Sequence, residues 1–256
     1  MSQLDLGRAV ALVTGSSRGI GAAVARALAR SGARVAVHYN RRREAAEAVG
    51  AAIEADGGAR PLLVEADLAD EEARRRLHAE VVEKLGPPLV LVHNAAVDPR
   101  NPFDEADDRL FLARWRTTMS VNLEAAAHLT LLALPAMRRE RFGRIVMVSS
   151  RSAFRAETEH PDYAVSKAGM VNLARCLARA QGPHGITANA VCPGWVETDM
   201  AREALAERGD AIRAEIPLGR VATPEEVADA VLFLVSSMGA YCNGVALPLN
   251  GGSYLH

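Results

Sequence analysis

A phenol and an ammonium group lie four residues apart in the segment Tyr163-Ala-Val-Ser-Lys167. On a helix, residues at this spacing share one face and can interact. A free tyrosine has a pKa near ~10, so its phenol is a poor acid or base at neutral pH. A positive charge at roughly 4 Å stabilises the phenolate by about 4 kcal/mol where the effective dielectric constant is about 20. We therefore expect Lys167 to lower the pKa of Tyr163 and make it a proton-transfer group.

Ser150 precedes Tyr163 by thirteen residues and follows the apolar run Ile145–Val148. A serine at the end of a buried strand can donate a hydrogen bond to a substrate oxygen. The alternative is a surface helix with an incidental tyrosine and lysine, because this spacing is a weak signal by itself. The lysine content favours the site, since Lys84 and Lys167 are the only lysines among 30 basic residues. Keeping a lysine in so arginine-rich a chain indicates a need for a compact point charge.

A glycine-rich segment near the start of the chain has the layout of a phosphate-binding turn. The apolar run Arg8–Val13 leads into Thr14-Gly15-Ser16-Ser17-Arg18-Gly19-Ile20-Gly21, and a helical pattern then continues to Gly32. Such a turn lets the backbone approach a phosphate, and the following helix offers free N–H groups. A tight turn without a ligand is the alternative, but the position between the first strand and the first helix favours binding.

These segments together resemble the short-chain dehydrogenase/reductase family, which has a TGxxxGxG motif and a Ser-Tyr-Lys catalytic set at this spacing. The resemblance spans essentially the whole chain, and it is closest to the 3-oxoacyl-(acyl-carrier-protein) reductases. It implies one Rossmann-type domain over residues 1–256, with a seven-stranded parallel sheet, helices on both faces and a lid at about residues 195–216. The alternation of strand and helix patterns along the chain predicts the same α/β architecture.

The resemblance also implies roles for the chemical groups. In the direction of reduction, NADPH would deliver hydride to a carbonyl carbon and Tyr163 would donate the proton. Ser150 would orient and polarise the carbonyl oxygen, and Lys167 would lower the tyrosine pKa and bind the cofactor ribose. Asn122, on a helix that we expect to begin at Trp115, would support a proton relay, although an asparagine can also cap or kink a helix.

The end of the second strand, predicted over Ala33–Tyr39, indicates which dinucleotide binds. An acidic residue there would bind the ribose 2′-hydroxyl of NAD, whereas an arginine would accept the 2′-phosphate of NADP. Tyr39 and Asn40 occupy the place, followed by three arginines beginning with Arg41, and Arg18 lies in the glycine turn. The pattern favours NADP(H) over NAD(H), the alternative being a solvated helix start.

Further cofactor contacts follow from the resemblance and lie mostly in the loops after successive strands. Ala96 stands where the family usually has glycine, and this departure concerns only the local fit. The complete predicted set is Gly15, Ser17, Arg18, Gly19, Ile20, Gly21, Tyr39, Asn40, Arg41, Asp67, Leu68, Asn94, Ala95, Ala96, Tyr163, Lys167, Pro193, Gly194, Val196 and Thr198.

The sequence leaves the substrate open. A 3-oxoacyl thioester is one candidate, and Arg138, Arg139, Arg141 and Arg144 could form a basic patch for an acidic carrier protein or only a solvated helix end. The charged segment from Arg151 to Asp162 instead favours a polar or secondary-metabolite ketone, a sugar or a polyol. A non-catalytic, cofactor-sensing scaffold would predict loss of Ser150, Tyr163 or Lys167, and all three are present. The charged connection Asp98–Arg114 is expected to overhang the substrate mouth.

Composition narrows the class of partner and compartment. The net charge is −1 with arginines interleaved among acids, which argues against nucleic-acid binding. Three widely spaced cysteines indicate a reducing compartment, and no apolar run approaches the ~20 residues of a membrane span. The N-terminal segment lacks the layout of a signal peptide, so we predict a cytoplasmic protein. Seven histidines without ligand spacing predict no catalytic metal, and the resemblance implies a homodimer or homotetramer.

Overall fold

A computed structural model describes residues 6–7 and 9–255, and these contain a seven-stranded parallel sheet of the predicted α/β type. The strand order is β3-β2-β1-β4-β5-β6-β7, and every neighbouring pair is parallel. The strands are Val10–Val13 (β1), Arg34–Tyr39 (β2), Leu62–Glu65 (β3), Val90–His93 (β4), Gly143–Val148 (β5), Ile186–Pro193 (β6) and Ala246–Leu249 (β7). Arg8, at the start of the predicted first strand, lies outside the described residues.

Eight α-helices accompany these strands in the described part of the chain. They are Gly19–Arg30 (α1), Arg43–Ala55 (α2), Glu71–Leu85 (α3), Asp108–Met119 (α4), Ala125–Glu140 (α5), Pro161–Gln181 (α6), Arg202–Ala214 (α7) and Pro224–Val235 (α8). A π-helical turn, Ser120–Glu124, joins α4 directly to α5. The start of α8 is fixed by a capping box that Thr223 and Glu226 form.

Alternate strand residues build two cores, one on each face of the sheet. Ala11 and Val13 pack with α1, α2 and α8, whereas Val10 and Leu12 pack with α3, α5 and α6. This follows from the two-residue period of a strand, which sends successive side chains to opposite faces. Both faces being covered explains why the strands are apolar without interruption.

The carboxyl ends of the strands all lie at one edge of the sheet, which we call the carboxyl edge. Chain order reverses between β1 and β4, and such a switch point opens a crevice at this edge. The loops after β1, β2, β4, β5 and β6 meet there. They carry the predicted glycine turn, arginines, Asn94, Ser150 and Thr198.

Two segments are more regular than their sequences indicate. The helix predicted to begin at Trp115 begins at Asp108, where the Asp107 side chain accepts hydrogen bonds from the N–H groups of Arg109 and Leu110. The segment expected to be a lid is largely helical as α7, with non-helical backbone angles at Arg208.

No helix among the described residues is long and apolar enough to cross a membrane. Over the same part of the chain, no group of three or more histidine, cysteine, aspartate or glutamate side chains is arranged to hold a metal ion.

Candidate active site

The end of β5 and the first turns of α6 bring the predicted catalytic residues together. Pro161 occupies the first turn of α6, and Tyr163 and Lys167 follow on one helical face. The Lys167 ammonium is buried and donates to the carbonyl of Val148 at 2.8 Å. Its nitrogen lies 5.4 Å from the centroid of the Tyr163 ring. The Ser149 hydroxyl donates to the Lys167 carbonyl at 2.8 Å and fixes α6 to the end of β5.

The electrostatics differ from the expectation that Lys167 lowers the pKa of Tyr163. Burial raises the pKa of the phenol well above its usual value, Asp98 adds to the effect, and a hydrogen bond with Ser150 opposes it. Burial also lowers the pKa of Lys167 to about 8. The expectation was wrong because helical spacing fixes the separation of two residues and not the direction of the ammonium, which here faces a backbone carbonyl. At neutral pH the phenol therefore keeps its proton.

Asn122 lies in the π-helical turn and is almost fully buried. Its side-chain carbonyl accepts from the N–H of Val97 at 2.8 Å, and its amide donates to the Val97 carbonyl at 3.0 Å and to Ser166 Oγ at 3.0 Å. Ser166 Oγ in turn donates to the Tyr163 carbonyl at 2.7 Å. Asn122 thus ties the loop after β4 to the helix of Tyr163, and these contacts identify it as a positioning residue.

Asp162 is a buried carboxylate beside Tyr163 that the sequence interpretation assigned to a charged loop. Its Oδ2 accepts from Thr118 Oγ1 at 2.7 Å and from Asn101 Nδ2 at 3.3 Å. Its Oδ1 accepts from the N–H of Tyr163 at 3.0 Å. These bonds fasten α4 and the connection before it to the first turn of α6.

The mouth of the site carries an ion pair between His160 and Asp98, with His160 Nδ1 and Asp98 Oδ1 2.8 Å apart. Both side chains are partly exposed. The contact with Asp98 raises the pKa of His160, and burial opposes the shift. Neither residue was singled out from the sequence, because 62 positions separate them along the chain.

The glycine turn has the close backbone contacts that a phosphate cradle needs. Gly15 has φ +63°, and a Cβ there would lie 2.7 Å from the Cα of Ala95. Gly19 has φ +54°, and a Cβ there would meet Thr198 Cγ2 at 3.3 Å. The turn therefore touches the loops after both β4 and β6. A side chain at either position would be strained by the positive φ and would press against the neighbouring loop.

Thr14 and Asn94 lock the turn to the loop after β4. Thr14 Oγ1 accepts from the N–H groups of Asn94 and Ala95 at 3.0 and 3.1 Å. The Asn94 amide donates to the carbonyls of Thr14 and Gly15 at 3.0 and 2.9 Å. Asn94 and Ala95 were predicted here, whereas Thr14 was quoted only as part of the motif. Ala96, the departure from the family pattern, follows directly.

His38 braces the same turn from β2 and was not identified as a site residue. Its Nδ1 accepts from the N–H of Gly15 at 2.9 Å, and its Nε2 lies 3.0 Å from the carbonyl of Ala66. Accepting at Nδ1 leaves the proton on Nε2, which can donate to Ala66. Burial lowers the pKa of His38 to about 4, so the neutral ring is the stable form at neutral pH.

Four charged residues form an exposed group beside the glycine turn, which we call the arginine rim. Arg18 Nη1 and Arg42 Nη1 lie 3.0 and 3.5 Å from Asp199 Oδ2, and Arg202 pairs with Asp199 Oδ1. Of the three arginines that follow β2, Arg42 is the one beside Arg18. Arg41 was predicted for this place.

The residues predicted after β2 and β3 divide between core and surface. The Tyr39 ring and Leu68 are buried in the cores, so their side chains are structural, whereas Asn40 and Asp67 are exposed. Arg74, on α3, fixes the loop after β3: it donates through Nε to the Leu68 carbonyl at 2.7 Å and through Nη2 to Ser120 Oγ at 2.8 Å. Its place in a charged helix gave no signal of this role.

The loop after β6 lies at the carboxyl edge and carries the predicted residues Gly194, Val196 and Thr198. The N–H of Gly194 donates to the carbonyl of Leu249 at 3.0 Å, and Val196 is buried and forms an isolated parallel bridge with Ala222. Thr198 lies over Gly19, as described above. Pro193 ends β6, so this loop leaves the sheet directly above the carboxyl edge.

Arg151, next to Ser150, is a largely buried cation at the substrate side. It is 8% exposed, and its Nη1 donates to Ser253 Oγ at 3.1 Å. Its guanidinium carbon lies 5.5 Å from the Trp195 ring centroid, and that of Arg208 lies 5.8 Å from the same ring. Burial lowers the pKa of Arg151, and the charges of Glu157 and Glu215 oppose the shift.

The candidate patch for a carrier protein lies elsewhere. Arg144 is the second residue of β5, and its Nη1 donates to the carbonyls of Gly143 and Gly185 at 2.9 and 3.3 Å, at the amino ends of β5 and β6. Ser150 follows the other end of β5. Six residues of strand separate the two ends by about 20 Å. The arginines from Arg138 to Arg144 therefore face the edge of the sheet opposite the catalytic residues.

The crevice fits a dinucleotide phosphate group on structural grounds. Gly15 and Gly19 have positive φ and let the turn pass close to the neighbouring loops, the N-terminus of α1 has no side-chain cap, and Arg18 and Arg42 lie beside it. Backbone N–H groups and arginine forks are the donors that bind phosphates in proteins. Tyr163 and Ser150 lie further along the same edge, after β5.

Comparison with known proteins gives a consistent result. A model of the family described as enoyl-(acyl carrier protein) reductase matches residues 15–254. The chain is 36% identical over 248 residues to 3-oxoacyl-(acyl-carrier-protein) reductase FabG of Pseudomonas aeruginosa, covering 96% of this chain and 97% of that protein. It is 37% identical over 251 residues to L-rhamnose 1-dehydrogenase (NAD(P)(+)) of Azotobacter vinelandii, covering 96% of each.

A solved structure extends the comparison to three dimensions. It is a proposed NAD(P) dependent gluconate 5-dehydrogenase from Beutenbergia cavernae with bound NADP at low occupancy. The TM-score is 0.90 at 37% sequence identity, covering 98% of this chain and 99% of that chain. The similar proteins thus include both a thioester reductase and enzymes of sugars and sugar acids.

Proposed function

Because the chain belongs to the short-chain dehydrogenase/reductase family, we propose that it interconverts a ketone and a secondary alcohol with NADP(H). The observation that carries this proposal is the hydrogen-bonded pair of Tyr163 and Ser150 at the carboxyl edge, above the buried Lys167. The cofactor supplies or accepts the hydride when bound. Arg18 and Arg42 support NADP(H), and relatives of this chain carry NAD(P) in their names.

The residues of this chain act on the proton and on the substrate oxygen. In reduction, Tyr163 donates its proton to the developing alkoxide, and its raised pKa keeps it protonated until then. Ser150 holds the same oxygen by a hydrogen bond. Lys167 supplies a positive charge under the phenol, and Asn122 positions α6 through Ser166.

We propose a small polar substrate with hydroxyl or carboxylate groups. Arg151 supports this class, since its guanidinium is largely buried and hydrogen-bonded to the neutral Ser253 hydroxyl, and a buried cation favours an anionic or hydrogen-bonding ligand. The sugar and sugar-acid names among the relatives agree with it. A 3-oxoacyl thioester is the second candidate, favoured by the similarity to FabG. Against it stands the position of the Arg138–Arg144 patch at the opposite edge of the sheet.

The test is a spectrophotometric assay at 340 nm with substrates of both classes. NADP⁺ reduction with aldonates, L-rhamnose and neutral polyols is compared with NADPH oxidation by acetoacetyl-CoA and by a small polar diketone. Turnover of the polar compounds that falls at least tenfold in Arg151→Met supports the proposal. Fast turnover of acetoacetyl-CoA alone, unaffected by Arg151→Met, would favour the thioester. The catalytic proposal would be contradicted if none of these compounds were turned over, or if their turnover did not depend on Tyr163.

A further inference from the structure

Asp199 lies where Arg18, a predicted cofactor residue, and Arg42, which was not in the predicted set, converge. Arg18 comes from the glycine turn and Arg42 from the loop between β2 and α2, and both contact Asp199 Oδ2, at 3.0 and 3.5 Å. These two elements flank the adenosine 2′-position in dinucleotide-binding folds. An internal carboxylate therefore lies where an NADP 2′-phosphate would find its positive charges.

The contacts of Asp199 are of a kind that a ligand can exchange. The rim borders an open cleft of about 540 Å³ that includes Arg18, Thr198, Asp199 and Arg202. Arg18 and Arg42 expose 48% and 59% of their side chains, and ion pairs with such exposure are individually weak. The hydrogen bond from Arg18 holds the pKa of Asp199 below its usual value, and Arg202 reinforces it, so the carboxylate stays charged at neutral pH.

We propose that Asp199 is a specificity-determining residue that pairs with Arg18 and Arg42 whenever no 2′-phosphate is bound. The inference rests on the proposed use of NADP(H). A phosphate carries about −1.5 to −2 charges at pH 7, so it displaces a single carboxylate from two arginines. NAD(H) has no 2′-phosphate and leaves Asp199 in place. Binding of NADP(H) therefore breaks the two ion pairs of Asp199 with Arg18 and Arg42, whereas binding of NAD(H) leaves them in place. Asp199 thus reduces the difference in affinity between NADP(H) and NAD(H).

The exchange also releases a tie to α7. Asp199 joins the glycine turn to the start of α7, because Arg202 is the first residue of that helix and pairs with the same carboxylate. Trp195, at the substrate mouth, lies on the same loop. Occupation of the 2′-phosphate site is therefore coupled to the freedom of residues 199–214.

Isothermal titration calorimetry with NADP⁺ and NAD⁺ tests the inference on the wild-type protein, Asp199→Asn and Asp210→Asn. Asp210 is the matched control because it is also an exposed aspartate of this segment, and its partner is Arg213 at 3.2 Å. We expect Asp199→Asn to bind NADP⁺ about three- to tenfold more tightly, in line with the loss of two weak exposed pairs. NAD⁺ affinity should change less than twofold, and Asp210→Asn should match the wild type. Asp199→Ser repeats the loss of charge with a different side chain.

Two results would overturn the inference and leave the proposed function intact: unchanged NADP⁺ affinity in both Asp199 variants, or weaker affinity. Failure of the wild-type protein to bind NADP⁺ would instead overturn the proposed cofactor. Hydrogen–deuterium exchange is the second readout. In the wild type, exchange over residues 199–214 should rise when adenosine 2′,5′-bisphosphate is added, and in Asp199→Asn it should be high beforehand. Exchange that stays the same in both proteins would contradict the coupling to α7.

Discussion

The two parts of the crevice hold their charges in opposite ways. Around Tyr163, Ser150, Lys167, Asn122 and Ser166, which we call the catalytic wall, most polar groups are buried and bonded to backbone or to one another. In the arginine rim the charges are exposed and meet only other charged side chains.

This difference indicates that the catalytic wall has a single geometry, whereas the side chains of the arginine rim can adopt other pairings. Removing a partner from a buried hydrogen bond leaves a polar group without solvation, which costs about 1–3 kcal/mol, so the catalytic wall resists rearrangement. Exposed ion pairs contribute about 0–1 kcal/mol and lose strength with added salt, so the arginine rim can exchange one anion for another. A preorganised wall suits proton transfer, and an exchangeable rim suits cofactor entry.

The largest expected effect comes from Tyr163→Phe. Loss of the phenol removes the proton donor, and kcat should fall about 10³-fold, within the range known for general acids. NADP⁺ affinity measured by calorimetry should stay within twofold of the wild type. Tyr241→Phe, at a fully exposed tyrosine, is the control and should leave both quantities unchanged. A kcat within tenfold of the wild type would remove Tyr163 from the mechanism.

Asn122→Ala probes the rigidity of the catalytic wall. It leaves the N–H and the carbonyl of Val97 without their side-chain partner and removes one hydrogen bond from Ser166 Oγ, so the free energy of unfolding should fall by about 2–3 kcal/mol. Urea denaturation measures the change. Asn172→Ala, at an exposed position of α6, should cost less than about 0.5 kcal/mol. Equal losses in the two variants would mean that Asn122 does not order the wall.

The arginine rim is probed by Arg18→Ala combined with Arg42→Ala. NADPH affinity should fall about 30-fold, because two charge-assisted contacts to the 2′-phosphate are lost, and NADH affinity should fall less than threefold. Arg18→Ala combined with Arg41→Ala tests whether Arg41, as predicted from the sequence, or Arg42 contacts the 2′-phosphate. We expect this variant to lose less NADPH affinity than the variant that lacks Arg18 and Arg42. Arg75→Ala with Arg76→Ala, on the exposed face of α3, is the control. Equal losses for NADPH and NADH would contradict the reading of the rim.

The smallest expected effect concerns His160 at the mouth. Its pKa is raised in the folded state by Asp98, so the stabilisation is complete below the unfolded pKa of about 6.5 and disappears as pH rises through the folded value. His160→Gln should lower the free energy of unfolding by at most about 1 kcal/mol at pH 5.5 and by nothing near pH 9. Asp98→Asn should reproduce this pH dependence, and the double variant should add little. A loss that is equal at both pH values would exclude the ion pair as its cause.

The fold and much of the candidate site could be predicted from the sequence. The apolar runs, the glycine turn and the Tyr163–Lys167 spacing gave the parallel sheet and the residues at its carboxyl edge. These features are local, because each depends on residues within about one element of the chain. The start of α4 was missed because local sequence is ambiguous there. Asp107 and Asp108 are residue types that occur both in loops and at helix caps.

The residues that were missed have partners far away in the chain. His38 meets Gly15 and Ala66, Arg74 meets Ser120, and Asp199 meets Arg18 across 181 positions. A histidine in an apolar strand, an arginine in a charged helix and an aspartate in a loop all have ordinary structural interpretations. Only tertiary packing distinguishes them, and the same holds for the direction of the Lys167 ammonium.

The π-helical turn at Ser120–Glu124 changes the direction in which side chains point around the continuous helix formed by α4 and α5. It holds one residue more than an α-helical turn would, and each residue advances an α-helix by about 100°. The apolar stripe of α5, which includes Leu129 and Met137, is thus rotated by about that angle relative to α4. Deleting one residue from the turn would continue the α-helix without interruption and rotate that stripe out of the core. The extra residue therefore lets Asn122 and the apolar face of α5 both point into the protein interior.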